Sequence, residues 1–194
     1  MMMPLIDYSI ISAAIEHYQK HGYKYVTVPW FVLPEVNNVT KPVGVHGFHV
    51  RSDVFDGELV GSGEQGFIEL MEIGLLPLGK YVTCTPCFRS EPYGYDELHQ
   101  PYFMKVELIN TWDTSDEQLD LMIAHSLDFF HKYVKTDVAT IDDNNYDIYA
   151  SKTKEKIELG SYGRRKWKDY KWLYGTGVAL PRLSQAIELE ANDG

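Results

Sequence analysis

The stretch YVTCTPCFRSEPYGYDELHQPYFMKVE, residues 81–107, decides the fold. Its opening run, Tyr81 to Phe88, is rich in β-branched and aromatic residues and reads as a strand, with Pro86 requiring an edge or a bulge. The strand delivers Arg89 and Glu91, whose spacing of two sends both side chains off one face of the pleat. A polar loop with Pro92, Gly94 and several acids follows. The chain then returns as a second strand, Phe103 to Ile109, on which Phe103, Lys105 and Glu107 share a face by the same alternation. Guanidinium, carboxylates, an aromatic ring and an ammonium on one surface are costly to bury unless a ligand satisfies them. A nucleotide does so: Arg for a phosphate, the ring for a base, the carboxylates for an amine or a metal.

Upstream, Leu5 to His21 carries apolar residues at helical spacing (Ile11, Ala14, Ile15, Tyr18), with Asp7 as cap and Gly22 as stop. Gly22 to Pro29, GYKYVTVP, reads as a strand whose continuation Pro29-Trp30-Phe31 seeks burial, which a two-fold partner can supply. Val32 to Gly57 shows mainly turn signals, and its His46 and His49 receive no role. Leu59 to Gln65 opens a helix of roughly Gln65 to Ile73, with Ser62 or Gly63 at its start, where free amide groups favour an anion or polar ligand.

Downstream, Ser115 and Gln118 form a capping-box signature. Leu119, Met122, Ile123, Phe130, Tyr133 and Val134 then mark the buried stripe of a helix reaching about Lys135. Asp137 to Ile141 and Tyr146 to Ala150 read as strands around a turn at Asp142 to Asn145. Ile157 to Ser161 and Tyr174 to Arg182 are the remaining informative segments, the latter leading into a helix that ends near Glu190. The basic, aromatic run from Arg164 to Trp172 reads first as a solvated surface segment and second as a strip facing RNA or phosphate.

Three segments, in order, carry a resemblance to the class II aminoacyl-tRNA synthetases, nearest to seryl-tRNA synthetase. Phe88-Arg89-Ser90-Glu91, followed by His99, Phe103 and Glu107, resembles motif 2 (about 81–109). The long helix and GYKYVTVP resemble motif 1 (about 5–31), which forms the dimer interface in that family. Tyr174-Gly175-Thr176-Gly177-Val178-Ala179-Leu180-Pro181-Arg182 resembles motif 3 (about 174–190). Departures are His99 in place of the usual Arg, the interruption by Pro101-Tyr102, and Tyr174 in place of Asn.

The resemblance implies an α+β fold, a mostly antiparallel sheet flanked by helices, as a single catalytic domain over 1–194 without a tRNA-gripping arm or anticodon domain. It implies ATP-dependent activation of a small amino acid, serine being favoured. Arg89 and Arg182 are then the catalytic pair. Arg89, Glu91, His99, Phe103, Glu158, Ser161 and Arg182 bind ATP, with Glu158 and Glu91 on Mg²⁺. Ser62, Glu64, Glu107 and Thr176 surround the amino acid. A homodimer is implied, with tRNA or a carrier protein as possible acceptor. The alternative is a non-catalytic paralogue, a dimeric binding or regulatory module.

Composition sets bounds. The 194 residues suffice for one cored domain, and 44% apolar with 13% aromatic content is that of a folded chain. No apolar run is long enough for a membrane span, and MMMPLIDYS lacks the basic start of a signal peptide. Two cysteines, Cys84 and Cys87, fit a reducing compartment such as the cytoplasm, and read as buried fillers pointing to opposite faces of their strand. The net charge of −10 argues against a surface broadly adhesive to nucleic acid.

Overall fold

A computed structural model describes residues 6–42, 44–90, 94–96, 98–153 and 156–192. The helices are α1 (Tyr8–Lys20), α2 (Pro34–Thr40), α3 (Gly63–Glu72), α4 (Asp116–Phe130) and α5 (Arg182–Asn192). The strands are β1 (Lys24–Tyr25), β2 (Phe31–Val32), β3 (His49–Arg51), β4 (Asp56–Leu59), β5 (Lys80–Phe88), β6 (Tyr102–Asn110), β7 (Thr136–Asp142), β8 (Asn145–Ala150), β9 (Glu158–Trp167) and β10 (Tyr170–Leu180). One seven-stranded sheet runs in the order β1-β5-β6-β10-β9-β8-β7, and β2-β4-β3 form a small second sheet. Among the described residues only the β1–β5 pair is parallel in the large sheet. The fold is therefore the α+β architecture expected, an antiparallel-dominated sheet flanked by helices.

Period-two alternation on the central strands separates two cores. Val82, Val106, Leu108, Leu173 and Val178 face a cluster closed by α1, α4 and α5, built on Ala14, Tyr18, Met122, Phe129 and Leu183. The opposite face, with Tyr81, Ile109, Trp172 and Tyr174, packs against Phe67, Ile68 and Met71 of α3. Cys84 and Cys87 do face opposite sides. Cys84 packs on the first core, while Cys87 is fully buried near Glu107. Burial pushes their thiols up, to about 11 and about 12.

Local differences from the sequence reading have physical causes. Pro86 marks an edge and not a bulge: the β5–β6 register is unbroken from Lys80 to Phe88, and β1 pairs only as far as Val82. The expected strand over 22–29 shrinks to Lys24–Tyr25, extended by the Val26 N–H donating to the Val82 carbonyl. The segment 32–57 holds more than turns. Pro34 sits at the first turn of α2, where its missing N–H is harmless, and β3 and β4 form a hairpin. The helix expected to reach Lys135 stops at Phe130, and Val134 packs from the turn beyond it. Its capping box is half made: Gln118 N donates to Ser115 Oγ, but Gln118 Oε1 has no partner among the described residues.

Between β6 and β10 the register shifts: Thr176 lies opposite Glu107, yet Val178 lies opposite Val106. The extra residue is Gly177. This bulge exchanges the two faces, so Trp172, Tyr174 and Thr176 lie on the α3 side while Val178 and Leu180 enter the first core. A Cβ at Gly177 would stand 2.7 Å from the Tyr18 ring, so only glycine fits there.

Candidate functional site

The floor of the site is the β5–β6 hairpin together with the N-terminus of α3. Ser62 caps α3, its Oγ accepting from Glu64 N at 3.2 Å, and Gln65 completes a capping box by accepting from Ser62 N. The same Ser62 hydroxyl donates to Glu107 Oε1 at 2.6 Å. Glu64 N–H and Lys105 Nζ also donate to Glu107, at 3.2 and 2.7 Å. Burial alone would raise the Glu107 carboxyl. Lys105, the Ser62 hydroxyl and Arg89 outweigh it and hold the group below the ordinary carboxylate range. Helix and strand approach so closely here that a Cβ on Gly63 would lie 2.7 Å from Glu107 Oε2.

Arg89 leaves the end of β5 and is braced by donation from Nε to the Gly61 carbonyl at 3.0 Å. Its guanidinium lies 5.2 Å from the centre of the Phe103 ring. On the far side of the site, Arg182 at the start of α5 pairs with Glu158 at 3.0 Å. Ser161 lies on β9 opposite Asp147 of β8. His99 Nδ1 sits 2.9 Å from Asp96 Oδ1 in the loop before β6.

These groups meet. Ser62, Glu64, Arg89, His99, Phe103, Glu107, Glu158, Ser161, Thr176 and Arg182 all border one cavity of about 270 Å³. Glu91, the remaining residue singled out in the sequence, lies outside the described residues. The cavity is at the lower end of the size range for small-molecule sites.

Two residues that the sequence reading placed elsewhere support the deep end: Arg165 borders the cavity, and the fully buried Trp172 stands behind it. Arg165 of β9 donates to the buried Glu64 carboxylate, and Trp172 Nε1 donates to its other oxygen at 2.6 Å. The Arg165 guanidinium lies 4.0 Å from the centre of the Tyr174 ring, and Tyr174 Oη donates to Asn145 at 2.7 Å. Burial raises the Glu64 carboxyl and Arg165 and Trp172 oppose that, while Arg165 itself is raised, chiefly through Glu64.

The segment Arg164 to Trp172 is therefore neither a plain solvated stretch nor a continuous strip. Arg165 and Trp172 are directly paired residues of the β9–β10 hairpin on the cavity side, and Trp172 is fully buried. Lys166 and Lys171 are exposed, and Lys168 pairs with Glu35 and Glu72.

No protein-family model matches the chain. The serine–tRNA ligase of Francisella tularensis subsp. holarctica is 33% identical over 124 residues, a match spanning 57% of this chain and 29% of the relative. The serine–tRNA ligase of Paraburkholderia phymatum is 34% identical over 134 residues, spanning 57% of this chain and 30% of the relative. The cytoplasmic serine–tRNA ligase of Naegleria fowleri, solved with AMP, superposes with a TM-score of 0.71 at 21% identity, covering 89% of this chain and 51% of that one. The Pyrococcus horikoshii seryl-tRNA synthetase, solved with ATP, gives 0.71 at 19% identity over 94% and 49%. This chain has a seryl-tRNA synthetase-like class II core. It spans about half the length of these solved structures, and its match covers less than a third of the curated relatives.

Within this synthetase-like core, sequence reasoning missed Arg165, Trp172, Lys105 and Asp147 as lining or supporting residues. Lys105 was visible on the right face of β6 but received no role. Arg165 and Trp172 become legible only once the β9–β10 turn is fixed at Lys168-Asp169, because a one-residue slip would send both outward. Asp147 borders the cavity, and burial and the nearby Glu158 charge raise its carboxyl against the Ser161 hydroxyl. Two carboxylates that repel one another at the Arg182 end suit a divalent cation carried in on a polyphosphate. Such an ion needs only one or two protein carboxylates beside phosphate oxygens. Among the described residues no group of three His, Cys, Asp or Glu is arranged to hold a metal ion. No helix among them is long and apolar enough to cross a membrane.

Proposed function

We propose that the cavity binds ATP and a small carboxylic acid and joins them as an acyl-adenylate. A carboxylate oxygen attacks the α-phosphorus, the bond from that phosphorus to the bridging oxygen breaks, and pyrophosphate leaves with the electron pair. The carrying observation is that Arg89, Glu158 and Arg182, distant in sequence, border the same cavity. In this reading Arg89 neutralises the α-phosphate in the transition state and Arg182 holds the terminal phosphate. Phe103 stacks on the base, with His99 and Ser161 beside the nucleotide. Glu158, with Glu91 or Asp147, receives the magnesium ion that screens the polyphosphate. Ser62, Glu64, Glu107 and Thr176 line the acyl end. Chemistry of this kind is positioning and charge stabilisation, with no protein nucleophile.

Family likeness favours serine, or an acid of its size, as the acyl donor. The acceptor is then the end of a tRNA or a carrier protein. Exposed Tyr25, Trp30, Phe31 and Leu33 around the segment resembling motif 1 support a homodimer. A non-catalytic binding module is the second reading, favoured by the Arg182–Glu158 pair and the Arg165–Glu64 pair occupying groups that substrates would use.

Calorimetry with ATP and with a non-hydrolysable acyl-sulfamoyl adenosine, followed by pyrophosphate exchange, separates the readings. Tight binding of the mimic with exchange supports the enzyme. Nucleotide binding with no exchange for any small acid supports the module, and no nucleotide binding overturns both.

A further inference from the structure

Thr176 borders the cavity immediately before the bulge at Gly177, where β10 exchanges its faces. The β9–β10 pairing runs from Tyr170 to Gly175, and the β6–β10 register skips Gly177. Buried backbone groups left out of a ladder need other partners. Two tyrosines supply them. Tyr162 Oη of β9 donates to the Thr176 carbonyl at 2.6 Å, and Tyr18 Oη of α1 donates to the next carbonyl, that of Gly177, at 2.9 Å. Both side chains are fully buried, and burial pushes both phenols up, so each keeps its proton and acts as a donor. Ser126 of α4 stands 3.4 Å from Tyr18 Oη and gives its own proton to the Met122 carbonyl. The rings fit because β10 carries glycine where they lie: a Cβ at Gly175 would stand 2.7 Å from the Tyr162 ring, as one at Gly177 would from Tyr18.

We propose, resting on the adenylation reading, that Tyr18 and Tyr162 are positioning residues for the acyl subsite: by holding two consecutive carbonyls of β10 from the core side, they fix Thr176 beside Glu107. Thr176 stands opposite Glu107 in the β6–β10 register and borders the cavity, whereas neither tyrosine lines it. Both therefore act through the strand and not on substrate. Removing one hydroxyl leaves a buried carbonyl short of its partner, and the residue outside the ladder is the one that can shift to relieve it. A displacement of about 1 Å is enough to misplace a group that faces a substrate. Arg89 and Phe103, at the nucleotide end, are carried by the β5–β6 hairpin instead, so ATP by itself does not depend on this clamp.

Two ligands titrated into the whole chain by calorimetry separate the ends of the cavity: ATP probes the nucleotide end, and seryl-sulfamoyl adenosine probes both. Tyr18→Phe and Tyr162→Phe delete one hydroxyl each. Phe130→Leu, at a fully buried position of the same core, removes packing but no hydrogen bond. All three are expected to lower the melting temperature. Each tyrosine variant is expected to bind the seryl compound at least about tenfold more weakly and ATP within about twofold of the wild type. Phe130→Leu is expected to bind both ligands as the wild type does. Unchanged affinity for the seryl compound in either folded tyrosine variant, a parallel loss of ATP, or an equal loss in Phe130→Leu overturns the positioning role and leaves the adenylation reading standing. If one tyrosine variant does not fold, the other decides; if neither folds, the hydroxyls serve stability alone and the positioning role is overturned. Failure of the seryl compound to bind the wild type overturns the adenylation reading and this inference together.

Discussion

Arg165 donates to the Glu64 carboxylate across 101 residues of sequence, joining the β9–β10 hairpin to the N-terminus of α3 inside the cavity. The pair ties the small-substrate end of the site to the hydrophobic packing of the sheet, because Trp172, the second partner of Glu64, is fully buried. Replacing Trp172 by Phe removes the Nε1 donor together with part of the buried ring volume. That leaves a buried carboxylate oxygen short of one hydrogen bond and should destabilise the protein by about 1–3 kcal/mol. At about 2–4 °C per kcal/mol for a chain of this length, a melting experiment resolves the loss easily.

In the proposed reaction Arg89 stabilises charge on the reacting phosphate; its Nε is committed to the Gly61 carbonyl and its side chain borders the cavity. Arg89→Ala should lower acid-dependent pyrophosphate exchange by at least about 100-fold, the size of effect seen when one preorganised donor is lost. Exchange at the wild-type rate would remove Arg89 from the proposed mechanism.

Gly63→Ala tests the close approach of helix and strand. The added methyl would stand 2.7 Å from Glu107 Oε2 and 2.9 Å from Thr85 Oγ1. Relief requires Glu107 to move off Ser62 and the Glu64 amide, at a cost of about 1–3 kcal/mol. Reduced thermal stability together with weaker binding of the acyl-adenylate mimic is the expected pair of results. An unchanged melting curve would mean that the loop relaxes freely.

Glu158→Gln probes the Arg182 end. The pair is partly exposed, with side chains 25% and 40% accessible, so its removal should change stability by less than about 1 kcal/mol. Its expected effect is on the nucleotide: the gain in ATP affinity on adding magnesium should shrink by roughly tenfold or more. Titrating ATP with and without magnesium, in wild type and variant, reads this directly.

His125 sets an acid limit on stability. Desolvation first, then the nearby His21, Lys80 and His17, push its imidazole down to about 4 from an ordinary value of 6.5, and Asp128 opposes the shift. The His21 ring stacks on it at 4.0 Å, the Tyr23 ring meets it edge-on, and His125 Nδ1 is buried without a partner among the described residues. Between about 4 and 6.5 the unfolded chain binds a proton that the folded chain does not. Stability is therefore full above 6.5 and falls as the pH drops toward 4. His125→Gln should flatten that decline in urea unfolding curves recorded across this pH range. His17, also lowered by burial, would keep part of it.

The order of segments, the hairpin of residues 81–107 and the alternation that puts Phe103, Lys105 and Glu107 on one face were readable in the sequence alone, because period-two patterning and local caps are set by neighbouring residues. Asp7 was legible as a helix start for the same reason, and the next start was narrowed to Ser62 or Gly63, of which the structure uses Ser62. What only the tertiary structure decided is which charges meet. The bulge at Gly177 sets the faces of β10, the register of β9 on β10 turns Arg165 and Trp172 inward, and together they cover Glu64. Pairing across 101 residues depends on strand register and burial, and neither leaves a local trace in the chain.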